Sequence, residues 1–433
     1  MRGCQPAGFG GPARHDRKDV RVSLDEAVLA ELDRRLGPVD AARFIGFPGQ
    51  RPIRQPVHTC YVPANLVVPG LARAWGEEAL AALDEHGLPD LGLDPALVAH
   101  VLPRVRAKLA TEPVEDLRVD AEDGYRGGRD AEDDDVRAAA SALAADALAG
   151  AAPTWMGIRA KSLELGTRHR GVRSLDLFLA TLGTSYGARS RPMRAIITLP
   201  KVTDVEQVRA FLPVLEALEA AHGVALDLEL QIETPQAVIG PDGTVTAARM
   251  VHAAGERLLG LHYGTYDYSA ALGIAAAHQS SDHPAADFAK QAMQVAVAGT
   301  GARAVDGSTN VLPVGPRDHV HDAWRLHAGL VRRALERGFY QGWDLHPAQL
   351  VTRYVATYAF FRAALPVAAG RLATYLDRAD AGILDESATA RALASVVVRG
   401  LDCGAVESAE VTAAGGPDRP QLDTLMGRRP GRS

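Results

Sequence analysis

The 433-residue sequence is short of four things, and each shortage excludes a class of protein. It holds three cysteines, Cys4, Cys60 and Cys403, an odd and widely spaced set. That argues against a disulfide framework or a zinc knuckle and for reduced thiols in a cytoplasmic protein. It has no apolar run near the roughly 18 residues a membrane span needs, and its longest weakly polar stretch, 138–152, is mostly alanine and carries Asp146. It has no basic excess: 47 Lys and Arg stand against 53 Asp and Glu, a net charge of −6, so neither nucleic acid nor an anionic membrane is an expected partner. Lysine is the fourth: only Lys18, Lys108, Lys161, Lys201 and Lys290 occur, so each is conspicuous and an arginine cluster carries less weight. The first 20 residues lack the apolar core of a secretory signal and read as a flexible arm.

What is present is an ordinary globular composition, 47% hydrophobic and 23% charged. A short helix is expected over 23–36, where Ser23 precedes Asp25 and Glu26, and a Gly/Pro-rich link over 46–56 follows. Apolar runs then recur at 57–62, 117–119, 155–159, 193–199, 226–232, 257–263, 302–305 and 339–345. Helix-patterned segments lie between them, including 136–148, 175–182, 205–222, 285–297 and 318–337. Eight strand-then-helix units imply parallel strands with helical crossovers and fit an α/β, (β/α)8 barrel. A doubly wound open sheet is the competing architecture, but no Gly-x-Gly-x-x-Gly turn opens the first unit. The expected division is an N-terminal arm with one helix over 1–55, a catalytic barrel over 56–365, and a C-terminal extension over 366–433. That extension would hold helices at 368–377 and 386–400 and a loose tail from 412.

In such a barrel the chemistry belongs at the C-terminal ends of the strands. Those ends carry Asp120, Glu122 and Asp123, then Arg159 and Lys161, Lys201, Glu233 and Thr234, Asp267, Asp306 and His346. In the fifth strand Leu226, Leu228, Leu230 and Ile232 alternate with Asp227, Glu229, Gln231 and Glu233. A solvated antiparallel face reads the same way. In a parallel barrel the leucines pack on the helices and the polar set points into the lumen, where buried carboxylates need a charged partner or a metal. Arg159, Lys201 and a divalent cation are the partners to hand. Glu233 and Asp267 close adjacent strands and could share one hard cation, Mg2+ or Mn2+. His319, His321 and His327 fall on a helix away from the mouth and read as surface residues rather than zinc ligands.

These residues carry a resemblance. In order stand Asp120-x-Glu122-Asp123, Ile-Arg159, Leu-Pro-Lys201-Val, Ile-Glu233-Thr234, Gly264-x-x-Asp267-Tyr268 and His346-Pro-x-Gln349. Together, between Val57 and Arg362, they resemble the HpcH/HpaI aldolase and citrate lyase family, which includes citrate lyase beta subunits and malyl-CoA lyases. The resemblance implies a phosphoenolpyruvate/pyruvate-type barrel and a lyase or aldolase that makes or breaks carbon–carbon bonds through a metal-stabilised enolate. Its substrate would be a small 2-oxo or 3-hydroxy acid or the CoA thioester of one. On this reading Glu233 and Asp267 hold Mg2+, Arg159 contacts the substrate oxyanion, and the Asp120–Asp123 loop organises the metal's water shell. Lys201, Thr234 and His346 are expected to line the substrate. Asp385 would belong to a C-terminal lid reaching a neighbouring subunit of a homo-oligomer, with helix capping as the competing role.

Departures and alternatives accompany the resemblance. Pyruvate-specific class II aldolases resemble Asp-x-Glu-His where this chain has Asp123, which points to the citrate lyase branch. Lys161 replaces a small polar residue. A class II pyruvate aldolase, a barrel serving as a non-catalytic binding partner, and phosphoryl or water addition on the same barrel are the other readings. Lys201 could form a Schiff base, against an ion pair with Glu229 or a substrate carboxylate. Arg168, His169, Arg170 and Arg173 read as a basic loop that could grip CoA phosphates or stay solvated, and Asp130–Asp135 as charge capping the following helix.

Overall fold

The computed structural model describes residues 24–186, 194–380 and 387–427. Two compact units are present, Met1–Gly46 and Phe47–Ser433. In the first, helix α1 (Glu26–Gly46) has no buried residue. It starts three residues after the expected start and runs ten past the expected end, through Pro38.

The second unit alternates strands and helices. Its strands are β1 (His58–Pro63), β2 (Asp116–Asp120), β3 (Trp155–Arg159), β4 (Arg194–Leu199), β5 (Ala225–Ile232), β6 (Leu258–Tyr263), β7 (Arg303–Val305) and β8 (Gly342–Asp344). All pair in parallel, in the order β7-β6-β5-β4-β3-β2-β1-β8. β7 and β8 approach each other at a seam, where Asp306 N donates to Gln341 O at 2.9 Å. The eight expected strands are therefore the eight observed, in a nearly closed (β/α)8 barrel.

The helices are α2 (Leu71–His86), α3 (Pro95–Thr111), α4 (Glu132–Ala149), α5 (Arg168–Tyr186), α6 (Val205–His222), α7 (Pro235–Val238), α8 (Thr246–Ala254), α9 (Thr265–Ala271), α10 (Pro284–Val297), α11 (Arg317–Glu336), α12 (Gln349–Asp380), α13 (Ser387–Asp402), α14 (Ser408–Ala413) and α15 (Arg419–Met426). The main core lies between strands and helices. Leu226, Leu228, Leu230 and Ile232 of β5 are buried with Val208, Phe211 and Leu215 of α6 in one cluster. With the leucines turned outward, strand periodicity puts Glu229 and Gln231 in the lumen, where both are buried. Among the described residues no helix is long and apolar enough to cross a membrane.

Several expectations need correction. The helix expected at 368–377 is the end of α12, a single 32-residue helix crossing Pro366 without a break at 365. The expected loose tail carries α15, which opens on a capping box between Asp418 and Gln421 and buries Leu422 and Met426. The basic stretch from Arg168 is the first turn of α5, where Arg173 Nη2 donates to Asp133 Oδ2 at 2.6 Å and Arg170 pairs with Glu132. His327 is buried rather than on the surface, bonded to Thr352 Oγ1 at 2.7 Å with Nε2 3.1 Å from Asp344. Asp385 lies outside the described residues.

Candidate active site at the C-terminal mouth of the barrel

The lumen is filled from below by charge pairs and aromatics. Arg118 on β2 is fully buried and joins Asp116 to Glu229, with Nη2 2.8 Å from Glu229 Oε2. Burial opposes ionisation of Glu229, but Arg118 and His262 outweigh it and hold the carboxyl well below the usual carboxylate range. His262 Nδ1 accepts from Trp343 Nε1 at 3.1 Å, which leaves Nε2 carrying the proton 3.2 Å from Glu229 Oε1. Lys201 therefore does not pair with Glu229, because Arg118 already occupies that carboxylate inside the barrel.

One layer higher, β2 and β3 place Asp120 and Arg159 side by side in register. Arg159 Nε and Nη2 donate to Asp120 Oδ1 and Oδ2 at 2.8 and 2.6 Å, a two-point clamp. Its Nη1 reaches neutral Gln231 Oε1 at 3.2 Å and stands 4.0 Å from Glu122 Oε2. The guanidinium lies 4.8 Å from the Tyr61 ring centre and 5.9 Å from that of Trp343. Asp120 also accepts from the backbone N–H groups of Glu122 (3.0 Å) and Gly124 (2.9 Å). Its carboxylate is thus saturated, and it fixes the orientation of the Arg159 guanidinium. A Cβ on Gly124 would stand 2.2 Å from Asp120 Oδ2, so only glycine lets the loop fold back over it.

At the rim, Lys201 has φ +51°, the only non-glycine residue with positive φ among those described. L-residues hold that conformation at a cost of about 1–2 kcal/mol, and such strain gathers at functional sites. It aims both ends of the residue. The backbone N–H donates to Glu233 Oε1 at 2.7 Å. Nζ stands 2.8 Å from Glu122 Oε1, 2.5 Å from Asp123 Oδ2 and 3.3 Å from Asp267 Oδ2. Burial opposes the charge on Lys201, but its bonds to Asp123 and Glu122 prevail and raise its pKa, so it stays protonated. An ammonium held by three carboxylates is a poor Schiff-base nucleophile.

Glu233 is buried at the end of β5 and also accepts from Gln231 Nε2. Its pKa is raised to about 8: burial is the main cause, Arg159 and Lys201 oppose it, and Asp267 and Glu122 reinforce it. A Cβ on Gly264 would fall 2.4 Å from Glu233 Cβ and 2.6 Å from Oε2. Thr234 Oγ1 donates to Val202 O at 2.6 Å and caps α7, and His346 Nδ1 accepts from Ala348 N at 3.2 Å before α12. The hydroxyl is thus engaged with the loop after β4 and the ring with the residue just before α12, rather than with Arg159 or Glu233. Lys161 Nζ donates to Ala121 O at 2.8 Å, bracing the Asp120–Asp123 loop.

The mouth therefore gathers Asp120, Glu122, Asp123, Glu233 and Asp267 around two cations, Arg159 and Lys201. Among the described residues no three His, Cys, Asp or Glu side chains converge as a ready-made metal cage; Glu122, Asp123 and Asp267 converge on Lys201 Nζ instead. Mg2+ usually takes one or two carboxylates and completes its shell with water and substrate. Hard oxygen donors in excess of local positive charge fit that cation, with Glu233 and Asp267 as the residues that would hold it. Tyr61, Trp343, Gly124 and Arg118 were not singled out by motif, although the inward parity of β1 and β2 marks Tyr61 and Arg118.

A parallel eight-stranded barrel with charged side chains gathered at its C-terminal mouth defines the class: a (β/α)8 barrel. The chain belongs to the family described as a domain of unknown function, DUF6986, whose profile matches residues 36–429. No curated protein matches it. Among solved structures, a citrate lyase from Burkholderia xenovorans LB400 is 19% identical, with a TM-score of 0.53 over 84% of this chain and 97% of that one. A Haloferax volcanii malate synthase is 16% identical, with a TM-score of 0.47 over 71% of this chain and 76% of that one. The citrate lyase beta subunit of Mycobacterium tuberculosis, complexed with oxaloacetate and magnesium, is 17% identical, with a TM-score of 0.40 over 69% of this chain and 96% of that one.

Proposed function

We propose that the protein is a Mg2+-dependent carbon–carbon lyase or aldolase acting on a small 2-oxo or 3-hydroxy acid or its CoA thioester. The observation that carries the reading is the clamped Arg159: a guanidinium fixed by Asp120 at two points, with Nη1 hydrogen-bonded to a neutral amide and 4.0 Å from Glu122, beside a cluster of carboxylates. Breaking a carbon–carbon bond next to a carbonyl develops negative charge on oxygen, and a preorganised cation aimed at that oxygen stabilises it. Arg159 supplies this at no cost in reorganisation, because Asp120, Tyr61 and Trp343 hold it from three sides. Mg2+, held by Glu233 and Asp267, would polarise the same oxygen and orient the substrate. Lys201 fastens Glu122 and Asp123 at the rim and presents positive charge to a substrate carboxylate. The fold likeness to the Burkholderia citrate lyase supports the choice of chemistry. The strain held at Lys201 speaks against a barrel kept only as a scaffold. A homo-oligomer in the cytoplasm is the proposed setting.

The test is solvent deuterium exchange into pyruvate and oxaloacetate with Mg2+. It is followed by a cleavage screen of malyl-CoA, citramalyl-CoA and 4-hydroxy-2-oxo acids. Exchange should vanish with EDTA, and should drop at least about 100-fold in Arg159→Lys, which loses the two-point clamp. Exchange indifferent to EDTA, or intact in Arg159→Lys, sinks the reading.

A further inference from the structure

The second unit also holds a hollow away from this mouth. About 740 Å³ of space lies at the opposite end of the barrel, against the residues that open β7 and precede β1 and β8. That volume is in the range of small-molecule sites. Four arginines line it, Arg51, Arg303, Arg391 and Arg399, and no described lining residue is Asp or Glu.

The hydrogen bonds of the two inner arginines go to neutral groups. Arg51 Nη2 donates to the carbonyls of Glu256 and Leu258, at 2.5 and 2.8 Å. Arg303 Nη2 donates to Arg54 O at 3.0 Å, and its guanidinium lies 5.9 Å from the Trp155 ring centre. Among the described residues neither has a carboxylate within ion-pair distance. Arg399 donates to Gln55 and sits 4.4 Å over the Tyr340 ring, which places its guanidinium in the same wall. Burial, with the charges of Arg399 and Arg51, pushes the Arg303 pKa down to about 9 against the weaker opposing pull of Glu229 and Asp116. Gathering guanidinium groups of one sign around a hollow destabilises the empty form unless an anion joins them. Gly49, Gly299, Gly301, Gly338 and Gly427 also line the hollow, all at positive φ, so the backbone is bare of Cβ atoms at those five positions.

The geometry points to a binding site for a small phosphate-bearing anion at the N-terminal end of the barrel, separate from the carboxylate mouth. Guanidinium forks match phosphate oxygens at two points, and glycine-lined walls let an oxyanion approach the backbone. The tyrosine and Phe47 add an apolar side suited to the organic part of such a ligand.

The experiment uses the full-length protein without Mg2+, with pyrophosphate as probe and NaCl at matched ionic strength as control. Calorimetric titration should show one site, and the unfolding midpoint should rise by on the order of 2 °C or more at saturation. Arg303→Met should unfold no earlier than the wild type, because it removes a poorly compensated charge, yet lose at least about tenfold in pyrophosphate affinity. Arg391→Ala, on the exposed rim, should weaken binding without touching the fold. Arg159→Lys, at the mouth, should bind as the wild type does. The assignment is overturned by absence of binding, by binding that survives Arg303→Met and Arg391→Ala, by binding lost in Arg159→Lys, or by citrate binding as tightly as pyrophosphate.

Discussion

Gly264→Ala is a one-atom probe of the mouth. Gly264 has φ −99° and ψ 97°, a conformation open to any L-residue, so backbone strain does not enter. The new methyl would lie 2.4 Å from Glu233 Cβ, against roughly 3.5–4.0 Å for carbon atoms in contact. Something must therefore move by about 1 Å. The Gly264 backbone is fastened to β5 by its N–H to Ile232 O at 3.0 Å, so the loop cannot swing away freely, and Glu233 takes the displacement. Overpacking of this kind costs about 1–3 kcal/mol of stability, and a 1 Å error in a reacting group costs about 100-fold in rate. The assay pairs urea unfolding with Mg2+-dependent deuterium exchange. Gly370→Ala serves as control, since a Cβ there meets nothing within 4 Å in the middle of α12; it should gain about 0.5–1 kcal/mol with exchange unchanged. A Gly264→Ala enzyme with full exchange would refute the placement of Glu233 in the reaction.

Two further expectations concern strain and proton linkage. Lys201→Ala and Lys201→Gly both delete the ammonium, but only the glycine relaxes the φ of +51°, so Lys201→Gly should be the more stable by about 1 kcal/mol in urea titrations; equal stability would remove the strain from the account. Burial holds the His327 pKa below its usual value despite the attraction of Asp344, so protons favour the unfolded chain. Its stabilising effect is complete above about pH 6.5 and is lost as pH falls through the folded value. The unfolding midpoint should thus fall less between pH 7 and pH 5 in His327→Gln than in the wild type, and parallel falls would contradict the assignment.

The alternation of apolar and polar residues made the barrel legible. β3 and α6 span the expected residues, 155–159 and 205–222, because a strand with one buried face and a helix with an apolar stripe each repeat at their own period. α12 was not legible, because Pro366 cannot donate to the turn before it and ordinarily ends a helix. Leu365, Ala368, Ala369 and Leu372 are buried in the main core cluster and carry the helix across that gap. α15 was legible in principle: Asp418-Arg419-Pro420-Gln421 spells a capping box with proline in the first turn. At the mouth, the strand-end carboxylates were visible, but their pairing was not. Lys201 is one residue in a row, and only its left-handed backbone sends the side chain outward to Glu122, Asp123 and Asp267 while Arg118 takes Glu229 below.

The net charge of −6 conceals a division by height. Helices that follow parallel strands run antiparallel to them, so their positive N-terminal ends ring the mouth and their negative C-terminal ends ring the base. The acidic first turn of α4, Glu132 to Asp135, and Asp267 in the first turn of α9 follow that rule. So does Arg51 at the base, donating to the carbonyl of Glu256, two residues past the end of α8. β5 has eight residues and spans about 25 Å, roughly three Debye lengths in physiological salt. Solvated charge at one end is therefore screened from the other. The barrel can collect carboxylates at the mouth, where a divalent cation and an enolate chemistry are proposed, and arginines at the base, where an anion is proposed, without either cluster neutralising the other. A reversal of charge should accordingly act locally: Arg391→Glu should repel pyrophosphate at the base and leave Mg2+-dependent exchange at the mouth unaltered. A loss of exchange in that variant would mean that the two ends communicate through the structure and not through the field.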